Sequence, residues 1–91
     1  MQSIKTTHCY AGISVYRPGD VLGPRTLADY ETVLIIEGAP LYETDGQSQV
    51  LEPGSIVLAQ PGGRETYHWD TTTLTRHAFL HFNLNRLSPH W

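Results

Sequence analysis

The sequence holds a single cysteine, Cys9, so no internal disulfide can close, and a reducing, cytoplasmic setting is expected. A lone thiol becomes a nucleophile only beside a base, and a small packed residue is its commoner fate. Charge is scarce. Charged residues are 16% of the chain, below the roughly 25% of an ordinary domain. Six Lys and Arg against nine Asp and Glu leave a net charge of −3. That leaves no basic stripe to neutralise a phosphate backbone, so this chain alone is not expected to bind nucleic acid. No apolar run reaches the roughly 18 residues that a membrane helix needs, and the first 25 residues contain no signal-peptide core. No glycine-rich dinucleotide loop, phosphate loop or Gly-x-Ser-x-Gly elbow occurs. Internal repeats, linkers and low-complexity tracts are missing as well. Ninety-one residues make one domain.

Turn residues are what the chain has. Eight Gly and six Pro punctuate it every 8–12 residues, at Arg17-Pro18-Gly19-Asp20, Gly38-Ala39-Pro40, Asp45-Gly46, Pro53-Gly54 and Pro61-Gly62-Gly63. Between them lie β-prone runs at Gly12–Tyr16, Tyr30–Ile36, Leu41–Thr44, Gln49–Leu51, Ile56–Ala59, Glu65–Trp69 and Leu74–Leu84. Short strands at this spacing predict an all-β sandwich or barrel. Asp45-Gly46 predicts a tight hairpin, because Gly accepts positive φ. Leu27, Tyr30 and Leu34 have helical spacing, but β-branched Thr32, Val33, Ile35 and Ile36 favour a strand. Gln2–Tyr10 reads as an arm ahead of the barrel, so the arm is drawn over residues 1–11 and the barrel over 12–85. A connector, with a partial turn, is drawn over 86–91.

Alternation splits each strand into two faces. Glu31, Val33 and Ile35 share one; Glu65, Tyr67 and Trp69 share one; His77, Phe79 and His81 share one. Two readings fit these polar groups among apolar neighbours. They line a pocket inside a barrel, or they form the solvated face of a sandwich. Glu31 and Glu65 are a candidate carboxylate pair for acid–base work, although most Glu on small β domains do no chemistry. His77 and His81 have the spacing of a helical zinc pair, but on a strand they stand about 13 Å apart, too far for one metal.

The punctuation resembles that of the cupins. Glu31 followed by six residues and Gly38 is similar to the end of the first cupin motif. The segment from Pro53-Gly54 through a hydrophobic strand to Pro61-Gly62 is similar to the second. The resemblance implies a small cupin-type jelly-roll β-barrel over about residues 12–85. Metal-dependent cupins place His-x-His ahead of the Glu, where this chain has Pro24-Arg25-Thr26-Leu27-Ala28. They place a further His where this chain has Glu65. One ligand of four, Glu31, is kept, and no metal or other cofactor is expected.

A narrower set looks like the N-terminal sensing domain of AraC-family transcription regulators. It comprises Val15-Tyr16-Arg17-Pro18, Asp29-Tyr30 leading into Leu34-Ile35-Ile36-Glu37-Gly38, Tyr67, and His77 to Phe82. The resemblance implies a pocket for a small polar effector such as a sugar. Arg17 would bond hydroxyls, Tyr67 and His77 would line the pocket, and Phe79 would stack where the family has Trp. With Glu31 and Glu65, the candidate ligand-binding set is Arg17, Glu31, Glu65, Tyr67, His77 and Phe79, with no catalytic residue. DNA would be bound only through a helix-turn-helix domain that these 91 residues do not contain. A homodimer would have to use a barrel edge or a sheet face. Two alternatives stand beside this reading. One is a stand-alone metal-dependent cupin enzyme, an isomerase or dioxygenase. The other is a dimerisation barrel filled by its own Tyr67, Trp69 and Phe79.

Overall fold

Proline and glycine keep most β-prone runs short, and the computed structural model describes residues 5–85 as strands and turns. The strands are β1 (Lys5–Tyr16), β2 (Val21–Thr26), β3 (Tyr30–Glu37), β4 (Leu41–Thr44), β5 (Gln47–Val50), β6 (Ile56–Ala59), β7 (Arg64–His68) and β8 (Thr75–Asn85). They form two four-stranded antiparallel sheets, ordered β1-β8-β3-β6 and β2-β7-β4-β5. Non-sequential neighbours in both sheets give the jelly-roll connectivity.

Two sequence expectations change. The barrel begins earlier than Gly12. From Lys5 onward the expected arm is part of β1, paired with β8 from Lys5↔Asn85 to Tyr16↔Thr75. An extended segment beside an unpaired strand edge gains the ladder hydrogen bonds. The rest of the expected arm, residues 1–4, and the expected connector, residues 86–91, lie outside the described residues. The second change is β2, where the sequence shows no β-prone run. In the fold Gly23 and Pro24 form a bulge. Leu22 pairs with Tyr67 and Arg25 with Glu65, so Gly23 and Pro24 together oppose Thr66. Gly23 has φ +109, and a Cβ there would stand 2.6 Å from the Glu65 carbonyl oxygen. Only glycine fits that approach.

The hairpin forms as expected. Thr44 pairs with Gln47 across Asp45 and Gly46, both at positive φ. At the opposite end Asp70 ties three segments together, its carbonyl accepting from the Gly19 N–H at 3.0 Å. Its carboxylate accepts from the Ala39, Thr72 and Thr73 N–H groups and from the Thr72 hydroxyl. Those bonds hold its carboxyl down to about 2.

The core lies between the sheets. Val33, Ile35, Leu51, Val57, Tyr67 and Trp69 form it, with Tyr16, Leu22, Tyr42 and Phe79 packed against them. One end is filled by rings. Trp69 stacks on Tyr16 at 4.0 Å and on Tyr67 at 4.7 Å, and His77 lies parallel to both Tyr16 and Trp69 at 5.3 Å. The face carrying Glu31, Glu65, Tyr67, His77 and Phe79 therefore points inward, and the solvated-face reading is set aside.

Candidate functional site

The β2 bulge decides which side chain enters the barrel. Regular alternation from inward-facing Leu22 would turn Pro24 inward and Arg25 outward. One extra residue reverses the parity, so Arg25 faces in beside its partner Glu65. Glu65 comes from β7 and Glu31 from β3, so the two carboxylates reach Arg25 from different sheets. Both are buried, at 2% and 3% exposure.

Arg25 joins them. Its Nη2 donates to Glu31 Oε1 at 2.5 Å and to Glu65 Oε2 at 2.6 Å, while Nε donates to Glu65 Oε2 at 3.0 Å. Burial alone would disfavour the guanidinium charge. The Glu65 hydrogen bond and the two carboxylate charges outweigh it and hold the Arg25 pKa above its ordinary value. The chain of contacts extends in both directions. Tyr42 donates its hydroxyl to Glu65 Oε1 at 2.8 Å. His81 sets Nε2 2.8 Å from Glu31 Oε2 and Nδ1 3.0 Å from Asp29 Oδ1. The Tyr10 ring stacks on His81 at 4.7 Å. Asp29, His81, Glu31, Arg25, Glu65 and Tyr42 thus form one chain of hydrogen bonds and close polar contacts across the interior. Each buried polar group in it has a partner, as burial requires.

This chain ends at a cleft. Tyr42 and Glu65 form part of its wall, with Leu27, Tyr30, Val57 and Ala59, and its volume is about 390 Å³. That is the size of a small-molecule pocket. The charged side chains on its wall are Asp45 and Glu65, the latter paired with Arg25 behind it. Burial first, then the Glu65 carboxylate, raises the Tyr42 pKa, so the phenol stays protonated and can only donate to Glu65. Glu65 Oε1 receives the Tyr42 hydroxyl, and a carboxylate oxygen has two acceptor places.

The other sequence candidates divide clearly. Tyr67 and His77 are buried in the ring-filled end, and Phe79 lies between them and His81, edge-on to it at 5.7 Å. Phe79 also rests on Gly12, its pairing partner, where a Cβ would meet the ring at 2.8 Å. Burial raises the Tyr67 pKa and lowers that of His77, so both rings are neutral. Tyr67 Oη and Trp69 Nε1 lack hydrogen-bond partners. Arg17 does not join them. Its side chain is 91% exposed on the β1–β2 turn, 4.0 Å from Asp20. The guanidinium inside the barrel is Arg25, in the stretch where metal-dependent cupins carry His-x-His. Arg25 and Tyr42 are the residues the sequence reading overlooked. Regular alternation carried no signal for Arg25, because the bulge reverses it.

The donor set does not fit a metal ion. The Glu31 and Glu65 oxygens that would hold one are closed on the Arg25 guanidinium. Among the described residues no group of three His, Cys, Asp or Glu side chains is placed to hold an ion.

No protein-family model matches this sequence, and no curated protein matches it either. Solved structures do. A Cupin 2 conserved barrel domain protein from Salinispora arenicola superposes with a TM-score of 0.74 at 17% identity, covering 88% of this chain and 74% of that one. A cupin superfamily protein from Desulfitobacterium hafniense gives 0.76 at 9% identity, covering 89% and 78%. A protein from Thermotoga maritima described as a predicted oxalate decarboxylase gives 0.71 at 15% identity, covering 80% and 64%. At these identities the likeness shows the fold. The chain has the all-β cupin fold, two antiparallel sheets closed into a small barrel.

Proposed function

We propose that this chain is a metal-free, small-molecule-binding cupin barrel, the effector-sensing domain of an AraC-type regulator, and not an enzyme. One observation carries the binding reading. The interior carboxylates Glu31 and Glu65 are neutralised by the chain's own Arg25, directly beside a cleft of ligand size. A site whose charges are already paired offers oriented hydrogen bonds rather than an open coordination position. The regulator context rests on the sequence motifs from Val15-Tyr16-Arg17-Pro18 to Phe82. The cytoplasmic setting goes with that context.

The cleft chemistry favours a neutral, hydroxyl-rich ligand such as a sugar. Asp45 disfavours anions, Glu65 Oε1 accepts hydrogen bonds, and the rings of Tyr30 and Tyr42 offer apolar faces. The test is titration calorimetry against a panel of neutral sugars, polyols and sugar phosphates. A neutral hydroxylic ligand should bind, and Tyr42→Phe and Glu65→Gln should each weaken it by about 5- to 150-fold, the equivalent of roughly 1–3 kcal/mol for a lost buried partner. Arg17→Ala should leave it unchanged. Elemental analysis showing about one tightly held transition metal per chain would overturn the reading and bring the metal-dependent enzyme forward.

A further inference from the structure

The cleft carries one charge that the protein itself leaves unanswered. Of the two acidic side chains on its wall, Glu65 is neutralised by Arg25, which bonds it at 2.6 Å and 3.0 Å. Asp45 is not. Among the described residues its carboxylate makes no ion pair and no hydrogen bond. That is unusual in this chain. Asp20, Asp29, Glu31, Glu37 and Glu43 each face an arginine or a histidine, and Asp70 is held by backbone N–H groups. Glu52 is the other carboxylate without a described partner, and it does not line the cleft. Arg64 borders an adjoining hollow with Asp45, but it is not on the cleft wall and makes no ion pair with Asp45.

The fold keeps Asp45 at this place. It occupies the turn between β4 and β5 at φ +51, with Thr44 and Gln47 paired across it. The Thr44 hydroxyl donates to the Arg64 carbonyl at 3.0 Å and ties the hairpin to β7. The exposed carboxylate thus stands on the rim of a cleft whose wall also holds the rings of Tyr30 and Tyr42. The face of such a ring is electron-rich and attracts a cation. A carboxylate and two π faces around one cavity favour the same charge. An ammonium answers both, since its three N–H donors can reach an acceptor while its charge lies over a ring.

We infer that the preferred ligand of the cleft is a hydroxyl-rich primary amine, an amino sugar rather than its neutral parent. The inference rests on the small-molecule reading of the cleft and narrows it. The hydroxyls of the sugar meet the open acceptor place on Glu65 Oε1, and the added ammonium meets Asp45. Asp45 stands on the rim, in contact with water, so the gain is modest. An exposed ion pair and a cation over a ring each bring a few-fold, and together they should tighten binding by roughly 3- to 20-fold.

Titration calorimetry on the purified chain tests it with matched sets in the gluco, galacto and manno series. Each set holds a 2-amino sugar, its N-acetyl derivative and the neutral parent. The buffer is kept at about pH 6, below the roughly 7.7–8.0 at which an α-amino group titrates, so the amine is charged. In the series that binds, the amino form should be roughly 3- to 20-fold tighter than both the parent and the N-acetyl form. Raising the salt to about 1 M should shrink the difference, because exposed charges are screened. Asp45→Asn should bring the amino form level with the parent. Asn accepts positive φ, and Asn-Gly is a favoured hairpin pair, so the turn survives the substitution. A parent that binds as tightly as its amino form would overturn the inference and leave the binding reading in place. So would a preference for the amine that persists in Asp45→Asn or at high salt. Silence from every sugar would overturn the binding reading itself, and this inference with it.

Discussion

Arg25 and Glu65, forty residues apart in sequence, share two hydrogen bonds on one oxygen: Nε at 3.0 Å and Nη2 at 2.6 Å both donate to Glu65 Oε2. The same Nη2 holds Glu31. One cation therefore neutralises two carboxylates from two sheets. The barrel interior depends on it, because neither carboxylate has access to enough water to carry its charge alone.

Removing that cation should be costly. Arg25→Ala leaves Glu31 and Glu65 buried and without their guanidinium, and should lower unfolding stability by about 3–5 kcal/mol. Urea denaturation at neutral pH measures it. Arg25→Met combined with Glu31→Leu and Glu65→Leu should recover much of the loss, because the charges are then removed together. A single variant as stable as wild type would mean that water already solvates the cluster.

The same variant should change metal behaviour. Arg25 Nη2 lies 2.5 Å and 2.6 Å from two carboxylate oxygens, close to the ~2.0–2.6 Å at which hard divalent cations bind oxygen. With the guanidinium gone, Mn²⁺ or Ca²⁺ should raise the melting temperature of Arg25→Ala and leave that of wild type in place. Equal shifts in both proteins would show that the wild-type carboxylates are open to cations after all.

Gly23 keeps the bulge that turns Arg25 inward. Gly23→Ala places a Cβ 2.6 Å from the Glu65 carbonyl oxygen at a φ of +109. It should cost about 1–3 kcal/mol in strain, or straighten β2 and pull Arg25 from Glu65. A thermal melt reads the first outcome. A crystal structure, or the arginine side-chain signals in an NMR spectrum, reads the second.

His77 should make stability depend on pH. Burial lowers its pKa below 6.5, so the unfolded chain takes up the proton first. The stability held by the neutral ring is present above about pH 6.5 and drains away as the pH falls, at up to about 1.4 kcal/mol per pH unit for one proton. The ring's one weak partner is the Ala78 backbone, which favours its charged form, so His77→Leu should be near neutral or stabilising at pH 8. Its urea midpoint should fall less than that of wild type between pH 8 and pH 5. Parallel pH profiles would remove His77 from this role.

The sequence by itself determined the strands other than β2 and the first half of β1, and the direction of most inner residues. Gly and Pro spacing set the turns, and period-two alternation put Glu31, Glu65, Tyr67, His77 and Phe79 on one face, because successive strand side chains must point to opposite sides. Asp45-Gly46 set its hairpin through local backbone preference alone. Three matters were left to the tertiary structure. Arg17 stayed in the solvent although a motif placed it in the pocket, since a residue on a turn has no partner strand to hold it inward. Arg25 turned inward through a bulge that exists only when β2 lies against β7. Tyr42 met Glu65 across twenty-three residues, and Arg25 met Glu65 across forty. Alternation is a local property and can be read along one strand. Charge pairing across a barrel depends on which strands become neighbours, and only the closed fold decides that.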